Sequence, residues 1–458
     1  MISVFEESSL SKAIARVGLP AMLGQLTTLI YNMADTFFVS LTGEPAMIAA
    51  VTLCTPVLLI IMSIACVFGM GGSSMIARLL GEGQKEYAGK TLNFCTYAMV
   101  FAGVFTAVLG LVFLVPVAKL AGADTENIGY TLDYLHYLFL GTPFIMLSNG
   151  FVHLFHSAGF IRESTVGLIL GNGVNIVLDY VFIILLGWGA AGAAAATTLG
   201  FVCSSIYYFT CIIGQNQKRN PLFLLSPRAL CLERGTVGSV VVIGIPGALI
   251  TVLMSVANIV LNNYIALYGS NAVAAYGIAY KIDMVPIMLS VGLSQGVTPL
   301  IGYCFGAGQR GRMVVIMRLS MLYGILLGAL FTVLFLLTGQ HLAGIFLHEE
   351  ILTIQAGDFL KVLCLSAPAL GIINMVTSYF QALGKAVHSL TITVLRNAVL
   401  FVPAVILLNF FWGLTGVIAA QPIVEGLLTI ICLVLYIREL QENPYVAAKT
   451  FHEMEKQI

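Results

Sequence analysis

Residues 46–77 read AMIAAVTLCTPVLLIIMSIACVFGMGGSSMIA, without one charged side chain from end to end. About 20 consecutive apolar residues carry a helix across the hydrocarbon layer. This stretch therefore spans a membrane, with length left over for tilt. A helix on the surface of a soluble domain would show a polar face at every turn, and none is present here.

Working outward, runs of the same kind recur along the whole chain. We read about twelve spans, at residues 13–40, 46–77, 88–118, 127–157, 163–187, 189–214, 236–265, 273–304, 312–340, 349–382, 387–412 and 413–437. Of the 458 residues, 59% are hydrophobic and 9% charged, whereas a soluble domain carries about 25% charged residues. The fold class is an all-α polytopic membrane protein. The formal net charge is zero, and no basic patch is large enough for nucleic acid. Nine cysteines are scattered without a CxxC pair, as expected of small apolar residues inside helices. The mildly acidic start and the length of the first apolar run predict a retained first helix rather than a cleaved signal peptide.

The loops test the count. Lys12 and Arg16 precede the first span; Arg78, Lys85 and Lys90 follow the second; Arg162 follows the fourth. Lys218, Arg219, Arg228 and Arg234 follow the sixth, Arg310 and Arg312 the eighth, Lys385 the tenth and Arg438 the twelfth. Every second loop is basic, with Lys119 the exception among the others. Positive charge collects on the cytoplasmic side, so an even number of spans with both termini in the cytoplasm is expected.

Beyond the opening stretch, Leu80-Gly81-Glu82-Gly83-Gln84 returns as Phe305-Gly306-Ala307-Gly308-Gln309. Gly18-Leu19-Pro20 returns as Gly244-Ile245-Pro246, Asp133-Tyr134-Leu135 as Asp358-Phe359-Leu360, Pro143 as Pro368, Gly159 as Gly384, Asn172 as Asn397 and Trp188 as Trp412. A nearly constant offset over six spans is the mark of duplication. An even number of spans in each half gives parallel repeats related by an axis along the membrane normal. The expected organisation is a first lobe over 1–217, a cytoplasmic linker over 218–235, a second lobe over 236–437 and a cytoplasmic tail over 438–458. Two pseudo-symmetric six-helix lobes that rock about a central cleft give alternating access. Gly18, Pro20, Pro56, Pro246, Pro286, Pro299 and Pro368 sit inside spans, where they fit bending helices, although membrane helices also carry glycine and proline for packing alone.

Charges at membrane depth are costly and mark ion or substrate pathways. Asp35 lies in the first span, Asn175 and Asp179 in the fifth, and Thr197 in the sixth. Asn175 and Asp179 share a helix face by their i, i+4 spacing. Counted from the span ends, Asp35, Asp179 and Thr197 fall roughly 9–12 Å below the outer surface at about 1.5 Å per residue. Oxygen ligands at one depth suit a hard cation such as Na⁺, by analogy with other hard cations; the same carboxylates could carry a proton instead. A hydrogen-bonded polar pair that merely tightens packing is the competing reading. At the repeat offset, Leu261, Leu400, Ala404 and Gln421 stand where Asp35, Asn175, Asp179 and Thr197 stand in the first half. The second lobe thus keeps the scaffold without the acids.

Weaker candidates lie in the second lobe. Lys281 and Asp283, two apart in the eighth span, point in different directions and stand as candidates for a substrate or gating role. Arg396 reads as snorkelling to a span end; Glu425 lies in the twelfth span and Lys361 near the start of the tenth. His153 and His156 form an HxxH spacing on one helix with no third ligand, which favours packing over a metal. Gly69-Met70-Gly71-Gly72 has no following Lys-Ser or Lys-Thr, so it reads as close helix approach rather than a phosphate loop.

Together, Gly18-Leu19-Pro20, Ala34-Asp35-Thr36, Gly81-Glu82-Gly83-Gln84, Asn175-Ile176-Val177-Leu178-Asp179, Thr197 and the six-plus-six plan resemble the multidrug and toxic compound extrusion (MATE) family, over roughly residues 10–437. The resemblance implies a secondary active antiporter that expels organic, mostly cationic and amphipathic compounds in exchange for Na⁺ or H⁺, not an enzyme. It implies a cation site at Asp35, Asn175, Asp179 and Thr197, completed by a backbone carbonyl near Ala193, with Na⁺ held there if Na⁺ is the coupling ion. It also implies no cofactor, contact with membrane lipid, a monomer, and a plasma (inner) membrane of prokaryotic type. One branch of the family carries a Glu in span seven and an Asp in span ten; Met254 and about Gly371 stand there in this chain, which is closer to the DinF/MepA-type branches. The alternative is a flippase for lipid-linked oligosaccharide or peptidoglycan precursors, whose phosphates would call for a cationic cavity.

Overall fold

The computed structural model describes residues 5–7, 9–218, 220–223, 234–346 and 349–442. Among them every regular element is helical, because a backbone in hydrocarbon must satisfy its own hydrogen bonds. Eleven continuous helical stretches are long and apolar enough to cross a membrane. The last, Ala386–Glu442, is 57 residues long, but its backbone reverses at Gly413 with φ 57° and ψ −138°. It is two spans joined by a one-residue turn, so the described residues make twelve crossings. Only glycine takes that φ without strain. A Cβ on Gly416 would stand 2.0 Å from the carbonyl oxygen of Leu408, which is how closely the two arms meet.

We number the spans α1 (Leu10–Ser40), α2 (Pro45–Gly81), α3 (Lys85–Val112), α4 (Ile128–Ser157), α5 (Ile161–Leu185) and α6 (Gly189–Gln217). The second set is α7 (Arg234–Ala266), α8 (Ser270–Gly306), α9 (Arg310–Gly344), α10 (Glu350–Ala382), α11 (386–412) and α12 (414–442). The third span is shorter than the 88–118 read from sequence. Its helix stops at Phe113 (φ −102°, ψ 28°), and a separate helix, Leu114–Leu120, follows. Pro116 has no N–H to continue the ladder. The expected linker at 218–235 lies mostly outside the described residues, as does the tail beyond Glu442. The described start of that linker, Pro221–Phe223, packs back on the first lobe, with Phe223 buried and its ring 4.9 Å from that of Phe160.

The helices form two compact units. One is Leu23–Thr251; the other runs from Val252 onward and includes the described residues up to Met22. Both α1 and α7 are therefore divided, a few residues beyond Pro20 and Pro246 respectively. Glycines make the contacts. A Cβ on Gly71 would lie 2.0 Å from the Val240 carbonyl oxygen, and one on Gly244 would lie 1.9 Å from that of Val67. In the other unit, a Cβ on Gly296 would lie 2.5 Å from the Val17 carbonyl oxygen. Gly71 and Gly296 are repeat mates, so the close approach read from Gly69–Gly72 occurs in each unit.

Proline bends α10. Cys364–Ser366 is a 3-10 turn just before Pro368. Pro368 cannot donate to the carbonyl of Cys364, and the Thr332 hydroxyl of α9 donates to that oxygen instead, at 2.7 Å.

Candidate cation site

Asp179, fully buried, ends the α-helical part of α5. Tyr180–Leu185 continues as a π-helix, a rare form that concentrates at functional sites. Leu186 N–H bonds back to the Val181 carbonyl at 2.9 Å, and Trp188 N–H to that of Phe182 at 2.9 Å. The Trp188 and Phe182 rings stack at 4.9 Å, which closes the wide turn.

One turn before Asp179, Asn175 is also buried. With its oxygen turned to the donors, its amide N–H donates to Asp179 Oδ2 at 3.2 Å. Its carbonyl accepts from the Thr197 N–H at 3.1 Å and from the Thr197 hydroxyl at 3.2 Å. Thus α5 and α6 are tied through one amide. Ala193 lies one turn before Thr197 on α6 and is fully buried.

Asp35 comes from the later part of α1, five residues before Ser40. Its carboxylate is near enough to Asp179 for the two charges to interact. Asp35 Oδ1 and Asp179 Oδ1 are both buried without a hydrogen-bond partner in the protein. Two phenols that sequence reasoning missed feel both acids: Tyr31, one turn before Asp35, and Tyr134 of α4. Asn172 also acquires a role, since its amide N–H reaches the hydroxyls of Thr27 at 3.4 Å and Thr28 at 3.3 Å. That link holds the Asp35 half of α1 against α5. A narrow crevice, with room for little more than a single water, opens beside the cluster, lined in part by Tyr31, Asn172, Asn175, Thr197, Phe201 and Ser204. The i−4 spacing of Tyr31 from Asp35 is the one signal in the sequence that could have found it.

The arrangement offers two acids, an amide and a hydroxyl on three helices, with unused carboxylate oxygens. It can take up one or more positive charges and nothing in it is a nucleophile paired with a base. In the second unit, Leu261 lies in an apolar core with Leu400 and Ala404 packed against it. Three of the four equivalent positions are thus hydrocarbon and the fourth is Gln421, and the six-helix scaffold stands without acids at these positions.

Of the second-lobe candidates, Asp283 is buried and Lys281 is exposed, so the two do not pair. Arg396 does not snorkel to a span end. It donates to Glu425 Oε1 at 2.8 Å, because a guanidinium inside the bundle gains more from a carboxylate partner than from a distant interface. Lys361 pairs with Asp358 on its own helix at 2.8 Å. His153 packs against Gly69, with the His153 ring 3.2 Å from where a Cβ would stand.

Comparison with known proteins agrees with this architecture. A multidrug export protein of Staphylococcus aureus, MepA, is 29% identical over 436 residues, which is 94% of each chain. The MepA of Staphylococcus haemolyticus is 30% identical over 426 residues, 92% of each. An outward-facing structure of a multidrug resistance MATE transporter superposes with a TM-score of 0.90 at 25% identity, covering 96% of this chain and 98% of that one. The MatE family model matches twice, at residues 20–181 and 246–407, one match for each repeat. A duplicated bundle of twelve crossings, a first-lobe acid cluster and this double match have one common source: the chain belongs to the MatE family.

Proposed function

We propose that this multi-pass membrane protein is a secondary active multidrug efflux antiporter. It exports organic, mostly cationic and amphipathic compounds in exchange for Na⁺ or H⁺. The observation that carries the reading is the cluster of Asp35, Asn175, Asp179 and Thr197, with two partnerless carboxylate oxygens in one lobe, and hydrocarbon in place of both acids and the amide in the other.

The basic loops support a topology with both termini in the cytoplasm. Asp35, near the end of α1, and Asp179, near the end of α5, then open towards the outer side. A cation from outside meets carboxylate, amide and hydroxyl oxygens, with the Ala193 carbonyl nearby. It neutralises the acids, draws the later half of α1 towards α5 and removes the field that favours the drug's positive charge. Drug arriving from inside favours the cation-free state. Exchange follows because each ligand lowers the affinity for the other, and the coupling is reciprocal. The S. aureus relative is named as a multidrug export protein, which supports the substrate class.

A flippase for pyrophosphate lipids is disfavoured. Its two candidate cations do not form an anion pocket: Lys281 is exposed and Arg396 is bound to Glu425. The test is drug efflux from proteoliposomes under separate Na⁺ and pH gradients. Asp35→Asn and Asp179→Asn should each abolish gradient-driven efflux while the protein remains folded. Undiminished efflux in both variants would end the proposal, and the gradient that drives the native chain names the ion.

A further inference from the structure

The second unit holds buried charges that the exchange scheme leaves unused. Asp283 of α8 is 1% exposed, and neither of its carboxylate oxygens has a hydrogen-bond partner. Glu425 of α12 is 4% exposed, and its Oε2 has none either. Ser366 lies beside Glu425, but its hydroxyl donates to the Leu363 carbonyl at 2.8 Å. Asp283 and Glu425 are close enough for their charges to interact. Arg396 binds Glu425 through Oε1 alone.

The three residues lie at similar depths. Asp283 is thirteen residues into α8, Arg396 ten into α11 and Glu425 eleven into α12. Since α11 runs outward while α8 and α12 run inward, Arg396 is sixteen residues from the outer end of its span, and at about 1.5 Å per residue the three lie about 17–24 Å below the outer ends, well inside a hydrocarbon layer of about 30 Å. Three distant stretches of chain thus converge at a costly depth. Arg396 also sits in a π-helical turn, Leu395–Leu400, the form that follows Asp179 in the first lobe.

The charges do not balance. Two carboxylates face one guanidinium. The other titratable groups near Asp283 are the phenols of Tyr276 and Tyr280 on its own helix and the thiol of Cys364, and none of these supplies positive charge. Tyr276 is itself buried with its hydroxyl unpartnered. One negative charge remains, with three carboxylate oxygens free to hold its counterpart. A buried charge without a partner is far more costly than a paired one.

We infer that Asp283 and Glu425 form a second cation site, in the second lobe, which takes one monovalent positive charge as a proton or a small alkali cation. Arg396 is a positioning residue there: it fixes Glu425 Oε1 and leaves Oε2 without a partner in the protein. The site is independent of the Asp35–Asp179 cluster, and the protein would carry one charge-binding centre in each lobe.

The experiment uses the full chain in lipid nanodiscs with two probes. Retention of radioactive Na⁺ at constant pH reports an alkali cation. An infrared carboxylic-acid band that appears on acidification reports a proton. With the first site removed by Asp35→Asn and Asp179→Asn, one saturable event should persist, and adding Asp283→Asn should remove it. In the otherwise native chain, Asp283→Asn or Glu425→Gln should remove one charge equivalent, which keeps the test open if the first-site variant fails to fold. Loss of the event in Asp35→Asn/Asp179→Asn with no effect of Asp283→Asn in the native chain would overturn the inference. So would an event that survives both Asp283→Asn and Glu425→Gln. Persistence of all native binding after the first-site substitutions would instead count against the first-lobe site, so the two readings fail separately.

Discussion

Arg396 donates to one oxygen of Glu425, Nη2 to Oε1 at 2.8 Å, and leaves the other oxygen without a partner. The pair joins α11 to α12 across the one-residue turn at Gly413. Removing one partner of a buried pair strands the other charge, at a cost of about 3–5 kcal/mol. Arg396→Met should therefore lower the melting temperature of the purified protein sharply. Arg396→Met with Glu425→Gln should recover much of the loss, and absence of any recovery would show that the arginine acts through packing.

Asn175 is the hinge of the first-lobe cluster, since it alone touches both Asp179 and Thr197. Asn175→Ala leaves Asp179 Oδ2 without that donor. An unsatisfied buried group costs about 1–3 kcal/mol. We expect cation affinity to fall more than tenfold, measured as the Na⁺ or proton concentration at half-maximal efflux, with drug binding at saturating concentration retained.

Close backbone approach makes the glycine contacts sensitive to a single methyl. Gly71→Ala would push a Cβ to 2.0 Å from the Val240 carbonyl oxygen, and Gly296→Ala one to 2.5 Å from that of Val17. Overpacking of this kind costs about 1–3 kcal/mol. Gly238, also in a helix, has nothing within 4 Å of the same position, so Gly238→Ala should be neutral or slightly stabilising. Thermal melts of the three variants side by side measure the difference.

The start of the chain is fastened to the second unit. Phe5 is buried and stacks on Tyr303 at 5.2 Å, while Arg312 donates to the Phe5 carbonyl at 2.8 Å and to the Glu7 carbonyl at 2.6 Å. Arg312→Ala removes both bonds. Limited proteolysis should then cut within the first ten residues at least several-fold faster, whereas Arg16→Ala, which breaks only the exposed pair with Glu7, should change the rate little because such pairs contribute about 0–1 kcal/mol.

The spans and the duplication were legible because membrane solvation acts on every residue of a helix and leaves uncharged runs. The turn at Gly413 falls where the expected spans 387–412 and 413–437 meet. Asn175 and Asp179 were readable because they lie one turn apart on one helix. Tyr134 was not, since it reaches the acids only through the packing of α4. The same limit hid the Asp283, Arg396 and Glu425 cluster. Its members are separated by more than a hundred residues at the widest, and only the rotation of each helix about its own axis decides that they meet. The end of α3 at Phe113 was lost because apolarity continues through Leu114–Leu120 while Pro116 interrupts the ladder.

The stack of Trp188 on Phe182 gives the protein its own optical gauge. The chain has two tryptophans, and the other, Trp412, is 60% exposed at the far end of α11. With Trp412→Phe, all indole emission would come from a ring seated on the turn that immediately follows Asp179. Any event at that acid that loosens or tightens the turn should alter its colour or brightness, so ion arrival could be timed in milliseconds without attaching a dye.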